Sequence, residues 1–503
     1  MKVRLFPLLL VVVATPATAA PVVKIAQGSL NGSEVDGVAV FKAIPYAAPP
    51  VGALRWRAPV PAAKWPGVRQ AAAYGPVCPQ PRVTWAGHDL DRTSEDCLTL
   101  NVWTPHAAVG AHMPVLVWFH GGRYTAGAGS QSTYEGSRLA RRGAVIVTVN
   151  YRLGVLGYLA HPALSKEAKD GTSGNYGLLD HIAALRWVQA NIARFGGDPK
   201  NVTVAGQSAG GGSAMLVTIA PLAHDFFQKA IFESGAALGL PGSGETGLGP
   251  AEAAGAAFAR TLKVQTVAQL RALPVATLLG AVTPRVSTGP ILDGKVVPMD
   301  ITAAYRSGQD AGVPILLGWN SNEAARFIDH ATRAGYAESA RQSYGPLAPD
   351  LLRLYPATTE AVATRAAQDL MSDAGFGWRS WSIAEARKRA GAAPAFLYQF
   401  DDPPPGPDGS RTDGAVHSDE LGFVWGNDDP HGRWSAADTA LADRMQAYWV
   451  NFMRKGDPNG SDLPRWDPYR AKATALWLRR DGVTMARPLR VERLRHVDDL
   501  LQR

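Results

Sequence analysis

The sequence predicts an α/β fold, with helices on both faces of a large, mostly parallel central sheet, and three observations support this. Short continuous apolar runs recur along the chain, as expected for parallel strands buried on both faces. Amphipathic helical patterns separate several of these runs, and such alternation favours a doubly wound sheet. One run enters a Gly-Gln-Ser-Ala-Gly turn followed by small residues, which is typical of a strand that passes through a sharp turn into a helix.

Each predicted element has its own local signal. The core strands are expected at Val115–Phe119, Ala144–Val149, Val202–Ala205, Ala230–Phe232, Ile315–Gly318 and Ala395–Phe400. Helices are expected over Leu178–Ala193 and Ala436–Arg454, the second stopped by Gly456-Asp457-Pro458. An N-terminal antiparallel extension is expected from Val22–Gln27, Val38–Tyr46 and Leu98–Trp103. Gly235–Gly255 and Asp401–Asp413 are expected to be irregular.

Composition indicates a soluble globular protein. Hydrophobic residues make up 46% of the 503 residues and charged residues 19%, which suits a large buried core. The net charge of +8 is spread without a basic run, so nucleic acid is not expected as a partner. No internal repeat is evident, and the simplest interpretation is one catalytic domain over residues 20–503. The oligomeric state stays open.

The first 19 residues have the organisation of an export signal. Lys2 and Arg4 precede the apolar segment Leu5–Ala14, and Ala17-Thr18-Ala19 fits a small-x-small cleavage site. The alternative is an uncleaved anchor, but the apolar run is short and is followed at once by Pro16. We therefore expect a periplasmic or secreted protein that begins near Ala20, with no stable membrane span after cleavage.

Cys78 and Cys97 are the only cysteines in the chain. In an exported protein, a pair this close in sequence predicts one disulfide, whereas two free thiols would require a reducing compartment. Two cysteines and scattered histidines cannot build a metal cluster. No metal site and no cofactor are predicted.

The Gly-Gln-Ser-Ala-Gly turn makes Ser208 a candidate nucleophile. By chance alone, roughly 0.2–0.3 matches to a Gly-x-Ser-x-Gly pattern are expected in a chain this rich in glycine. The surrounding sequence must therefore show whether this match marks a nucleophile. A serine hydroxyl needs a base, and the base needs a carboxylate that orients it. Glu323 follows the strand at Ile315–Gly318, and His417 follows the strand at Ala395–Phe400. Taken alone, these two could be a surface carboxylate and a solvated loop histidine.

Backbone N–H groups that stabilise an oxyanion are expected at two places. Ala209 directly follows the candidate nucleophile at a helix N-terminus. The turn His120-Gly121-Gly122-Arg123 directly follows the strand Val115–Phe119. The alternative, an ordinary glycine turn, is less favoured at the end of a core strand.

The chain also closely resembles one family, the type B carboxylesterases, which include cholinesterases, mammalian carboxylesterases and fungal lipases. The resemblance covers nearly all of the chain after the export signal. The motifs that carry it, besides the serine turn, are Phe41–Arg57, Ser94–Leu98 with Leu100–Val102, Asn150–Arg152, Gly174–Asp180, Phe195–Pro199, Phe232–Gly235, Gly289-Pro290 and Asp293-Gly294.

The resemblance implies an α/β-hydrolase fold and a role for each candidate residue. It implies a Ser208–His417–Glu323 triad, a Cys78–Cys97 disulfide, and a buried serine, Ser234, behind the triad. It also implies that Gly122, Arg123 and Ala209 supply the oxyanion N–H groups.

Two positions depart from the family pattern. Gln207 stands where the family usually has Glu, which removes a carboxylate beside the site and argues against a cationic choline-type substrate. Arg123 stands where Gly or Ala is usual, and we hypothesise that its charge favours neutral or anionic esters. A serine hydrolase of soluble carboxylic esters is therefore the prediction. The alternatives are a lipase acting on longer-chain acyl esters and a non-catalytic binding protein on the same fold.

Overall fold

The computed structural model describes residues 20–83, 90–235 and 247–502, apart from 392, 428, 430 and 471. The strands are β1 (Val22–Lys24), β2 (Ser29–Asn31), β3 (Ser33–Val35), β4 (Val38–Pro45), β5 (Val68–Gln70), β6 (Thr99–Thr104), β7 (Met113–Phe119), β8 (Val145–Val149), β9 (Gly197–Gln207), β10 (Lys229–Glu233), β11 (Ile315–Asn320), β12 (Ala395–Phe400), β13 (Ala475–Arg479) and β14 (Gly482–Ala486).

The α-helices surround these strands. They are α1 (Ser137–Arg141), α2 (Gly154–Tyr158), α3 (Pro162–Glu167), α4 (Tyr176–Asn191), α5 (Ala209–Ile219), α6 (Leu248–Thr261), α7 (Val267–Ala272), α8 (Val275–Gly280), α9 (Ile301–Arg306), α10 (Arg333–Tyr344), α11 (Ala348–Leu354), α12 (Glu360–Ser372), α13 (Trp378–Ala390), α14 (Glu420–Trp425), α15 (Ala436–Lys455) and α16 (Val491–Leu501).

The central sheet confirms the predicted fold class. Its eleven strands lie in the order β14-β13-β12-β11-β10-β9-β7-β8-β6-β4-β3. All six predicted core strands are present, and together with β13 they form a run of parallel neighbours from β8 to β13. The carboxyl ends of β9, β11 and β12 therefore share one edge of the sheet, and the three candidate catalytic residues follow these strands in the chain.

The N-terminal extension is antiparallel, as predicted, but it divides between two sheets. Strands β3, β4 and β6 extend the central sheet by antiparallel pairing beyond β8. Strand β1 instead pairs with β2 in a separate three-stranded sheet, whose third strand is β5.

Both predicted helices form, with ends set by local capping. Helix α15 begins with a reciprocal capping box between Ser435 and Asp438, and ends at Gly456, whose φ of +71° suits a left-handed C-cap. Helix α4 covers Tyr176–Asn191, and a 3-10 turn at Ile192–Phe195 continues it.

One predicted irregular stretch is partly wrong. Residues 236–246 lie outside the described residues, but helix α6 begins at Leu248, inside the stretch that was expected to have no regular structure. Gly255 within this helix is a packing residue, because a Cβ there would lie 1.8 Å from the Ala160 carbonyl oxygen. The second stretch, Asp401–Asp413, contains no helix or strand, as expected.

The expected disulfide is present between Cys78 and Cys97. Both cysteines are buried, and the bridge closes a loop with a sequence separation of 19 residues. Among the described residues, no helix has both the length and the apolar character needed to cross a bilayer.

Candidate active site

Ser208 lies in a sharp turn between β9 and α5. Its φ of +57° and ψ of −123° are a strained conformation for a residue with a Cβ. The turn is possible only because glycine flanks it on both sides: a Cβ on Gly206 would lie 2.4 Å from the backbone of Gly210, and a Cβ on Gly210 would lie 1.9 Å from the Phe119 carbonyl oxygen. The Ser208 N–H donates to the Glu233 carbonyl oxygen at 2.9 Å, which ties the turn to β10.

His417 and Glu323 are in direct contact, although 94 residues separate them in sequence. Glu323 begins a 3-10 turn, Glu323–Arg326, shortly after β11, and His417 follows the irregular stretch that leaves β12. The His417 Nδ1 and Glu323 Oε2 atoms are 2.6 Å apart, and both side chains are buried. With Nδ1–H donated to the carboxylate, Nε2 of the same ring is left as an acceptor.

The second oxygen of Glu323 is also fully engaged. Its Oε1 accepts the Ser234 hydroxyl at 2.5 Å and the Asn320 backbone N–H at 2.7 Å. Three donors therefore converge on one buried carboxylate and fix its orientation toward His417. Ser234 therefore contacts the carboxylate of Glu323 on the oxygen that does not face His417.

The outer nitrogen of His417 faces the residue before the candidate nucleophile. Gln207 Nε2 lies 3.3 Å from His417 Nε2 and donates to Ser418 Oγ at 3.0 Å. Ser208 Oγ, in contrast, has no hydrogen-bond partner among the described residues. The structure thus brings Glu323, His417 and the Gln207-Ser208 turn together, and it shows no hydrogen bond between the serine hydroxyl and any described residue. Ser418 was not identified from the sequence.

The candidate oxyanion turn follows β7 and has an unusual backbone. Gly122 has a φ of +107° and Arg123 one of +59°, and a Cβ on Gly122 would lie 2.0 Å from the Ala126 carbonyl oxygen. Ala209 is the first residue of α5, so its N–H has no acceptor within the helix. Within the described part of the chain, the N–H groups of Gly122, Arg123 and Ala209 have no acceptor, and this leaves all three able to bind an anionic oxygen.

Two further buried glutamates lie near Glu323. Burial raises the pKa of Glu233 to about 8, and its Oε1 accepts the indole N–H of Trp449 at 2.7 Å. Burial, and then the nearby charge of Glu323, raise the pKa of Glu420 well above its ordinary value. Both carboxyl groups therefore favour the neutral form at neutral pH. Across the described ranges, no group of three His, Cys, Asp or Glu side chains is arranged to hold a metal ion.

Two aromatic rings pack against His417. The ring centroids of Phe327 and Phe376 lie 5.1 Å and 4.8 Å from that of the imidazole. Phe327 is 40% exposed and so offers apolar surface beside the candidate base. Phe376 lies in the π-helical turn Asp373–Gly377 between α12 and α13, a position that no sequence signal indicated.

Comparisons with known proteins identify the family. The model of the carboxylesterase family matches residues 19–496. The chain is 37% identical over 475 residues to fumonisin B1 esterase of Sphingopyxis macrogoltabida, covering 90% of this chain and 85% of that protein. It is also 37% identical over 467 residues to para-nitrobenzyl esterase of Bacillus subtilis (strain 168), covering 88% and 91%.

Solved structures of esterases have the same fold as this chain. A structure of PNB esterase superposes with a TM-score of 0.82 at 33% identity, over 95% of this chain and 99% of that one. A thermophilic PNB esterase gives a TM-score of 0.83 at 32% identity over the same shares. The protein belongs to the carboxylesterase family and is a carboxylic-ester hydrolase with the α/β-hydrolase fold.

Proposed function

We propose that the enzyme cleaves neutral or anionic soluble esters through an acyl-enzyme formed on Ser208. His417 takes the Ser208 proton on Nε2 as Oγ attacks the ester carbonyl, and Glu323 stabilises the imidazolium that results. When the C–O bond to the alcohol breaks, the same proton passes from His417 to the leaving oxygen. Water then repeats both steps on the acyl-enzyme and releases the carboxylic acid. The 2.6 Å contact between His417 and Glu323, beside the strained Ser208 turn, is the observation that carries this proposal.

The developing oxyanion is proposed to bind the N–H groups of Gly122, Arg123 and Ala209. Donors that are already held in place lower the barrier most, because no reorganisation is needed when the charge forms. The positive φ values of Gly122 and Arg123 support this role, since they hold the turn in a conformation that leaves its N–H groups unbonded within the described structure.

Arg123 is the proposed determinant of substrate charge. Its side chain is exposed, and it makes no ion pair or hydrogen bond with any described residue. This guanidinium has no partner among the described residues and directly follows Gly122, so it would attract a carboxylate on the substrate and would repel a quaternary ammonium. Gln207 adds no compensating negative charge beside the nucleophile.

A panel of esters with purified enzyme tests this function. The panel contains short neutral esters, short esters that carry a free carboxylate, and a long-chain acyl ester as an emulsion, with Ser208→Ala as the blank. We expect the largest kcat/KM for the short soluble esters. Faster turnover of the emulsified long-chain ester would favour the lipase alternative, for which the exposed Phe327 beside His417 provides the apolar surface.

Arg123→Gly should reduce the preference for anionic over neutral short esters by about three- to tenfold, the effect expected of one partly exposed charge. Arg123→Lys is the matched control, because it keeps the charge and the same backbone strain at a positive φ. The quantity to compare is the ratio of kcat/KM for the two ester types. An equal ratio in all three proteins would reject the role of Arg123.

Export is the remaining part of the proposal. We expect the protein recovered outside the cytoplasm to begin near Ala20, which intact-mass measurement and N-terminal sequencing can check. Recovery of a membrane-bound protein that still carries residues 1–19 would instead favour an uncleaved anchor.

A further inference from the structure

Gln207 and Ser208 are neighbours that compete for one acceptor. His417 Nδ1 is committed to Glu323, so the neutral ring has a single lone pair, on Nε2. Gln207 Nε2 lies 3.3 Å from this atom, and an amide nitrogen can only donate to it. Ser208 Oγ, which must use the same lone pair to lose its proton, has no partner within the described residues.

The surroundings of Gln207 hold it in this position. The second hydrogen of its amide is donated to Ser418 Oγ at 3.0 Å, and Ser418 has a φ of +77°. On the opposite side, a Cβ on Gly121 would lie 3.1 Å from Gln207 Oε1 and 3.2 Å from Ser208 Cβ. The absence of a side chain at residue 121 therefore leaves room for both competing groups.

We propose that Gln207 is a positioning residue that occupies the Nε2 lone pair of His417 in the substrate-free enzyme and yields it to Ser208 when an ester binds. The bond to Ser418 keeps the amide anchored while this exchange takes place. This inference rests on the proposed function, because it requires that His417 be the base for Ser208.

The neutral amide has a consequence for pH dependence. An amide donor can bond to Nε2 only when the ring carries no proton there, and this is the form that can take the Ser208 proton. A carboxylate of the same shape would favour a proton on Nε2, and the base would then become available only at higher pH. The other charged or titratable groups on the elements around His417 include Arg123, Glu233, Glu323, Arg326, Asp373, Tyr398, Asp419 and Glu420. All of them are the same in wild type and variant, so the difference reports on residue 207.

The first test is the pH profile of kcat/KM for a short neutral ester. In Gln207→Glu, we expect the acid limb of the profile to move up by about one to two pH units. The decrease in kcat/KM relative to wild type should then be at least tenfold greater at pH 6 than at pH 9. Gln207→Met keeps the side-chain length and removes the donor without adding a charge, so its acid limb should move up by less than that of Gln207→Glu. If the two variants lose activity equally at every pH, or if the acid limb of Gln207→Glu stays in place, the inference is wrong.

The second test does not depend on turnover. With ¹⁵N-labelled histidine, the Nε2 resonance of His417 at high pH reports whether its lone pair accepts a hydrogen bond. We expect the same resonance position in wild type and Ser208→Ala, and a displaced one in Gln207→Met. A resonance that moves in Ser208→Ala and not in Gln207→Met would show that the serine, and not the glutamine, occupies Nε2.

The two tests also separate this inference from the proposed function. If wild-type Ser208 fails to react with a fluorophosphonate, the proposed function itself fails. If Ser208 reacts but the acid limb of Gln207→Glu stays in place, the proposed function stands and only the role of Gln207 is rejected.

Discussion

Ser208→Ala is expected to reduce kcat/KM for a soluble ester by about 10⁴- to 10⁶-fold, because removal of the nucleophile leaves only binding and oxyanion stabilisation. Alanine keeps the Cβ, so the strain at a φ of +57° and the packing of the turn are unchanged. Hydrolysis by the purified variant is measured beside its melting temperature, which should match that of wild type.

Ser208→Gly is the matched control for this substitution. It removes the same hydroxyl and also relieves the positive-φ strain, so it should be equally inactive and more stable by roughly 1–3 kcal/mol. If either folded variant retained more than about one hundredth of the wild-type activity, Ser208 would not be the nucleophile.

Glu323→Gln is expected to lower kcat by about 10⁴-fold while the fold is kept. Ser234 O–H and Asn320 N–H both donate to Oε1, so the new amide must place its oxygen there. Its NH₂ group then faces His417 Nδ1, which has to become an acceptor. The ring proton moves to Nε2, and the base can no longer accept a proton from Ser208.

Glu233→Gln supplies the control for the Glu323 substitution. Burial raises the pKa of Glu233 to about 8, so at neutral pH an amide imitates its neutral form. We expect less than a tenfold change in kcat at pH 7 for this variant. Similar losses in Glu233→Gln and Glu323→Gln would mean that the buried polar cluster acts as a whole and that Glu323 has no special role.

Much of the sheet could be predicted from the sequence because its signals are local. A continuous apolar run predicts a buried strand, and the flanking glycines Gly206 and Gly210 predict the sharp turn at Ser208. Glu323 and His417 could be selected because each follows a core strand in the required order. The structure adds that Glu323 and His417 are in contact, which no spacing along the chain could establish.

The contacts that the sequence did not reveal join residues far apart in the chain. Gln207 and His417 are separated by 210 positions. The sequence therefore showed that Gln207 departs from the family pattern, but it could not show that Gln207 contacts His417. Phe376 contacts His417 from a π-helical turn that has no signature in the sequence. The glycine-rich composition of Gly235–Gly255 led to the wrong expectation that this whole stretch is irregular. Gly255 instead lies within α6, where it allows close packing against Ala160.

The most direct test of the Ser208–His417–Glu323 assignment is to map the site of fluorophosphonate labelling by peptide mass spectrometry. We expect one adduct on Ser208 in wild type, none in Ser208→Ala, and labelling slowed by about 10³-fold or more in His417→Ala. An adduct on a different serine, or no adduct on folded and active enzyme, would contradict the assignment.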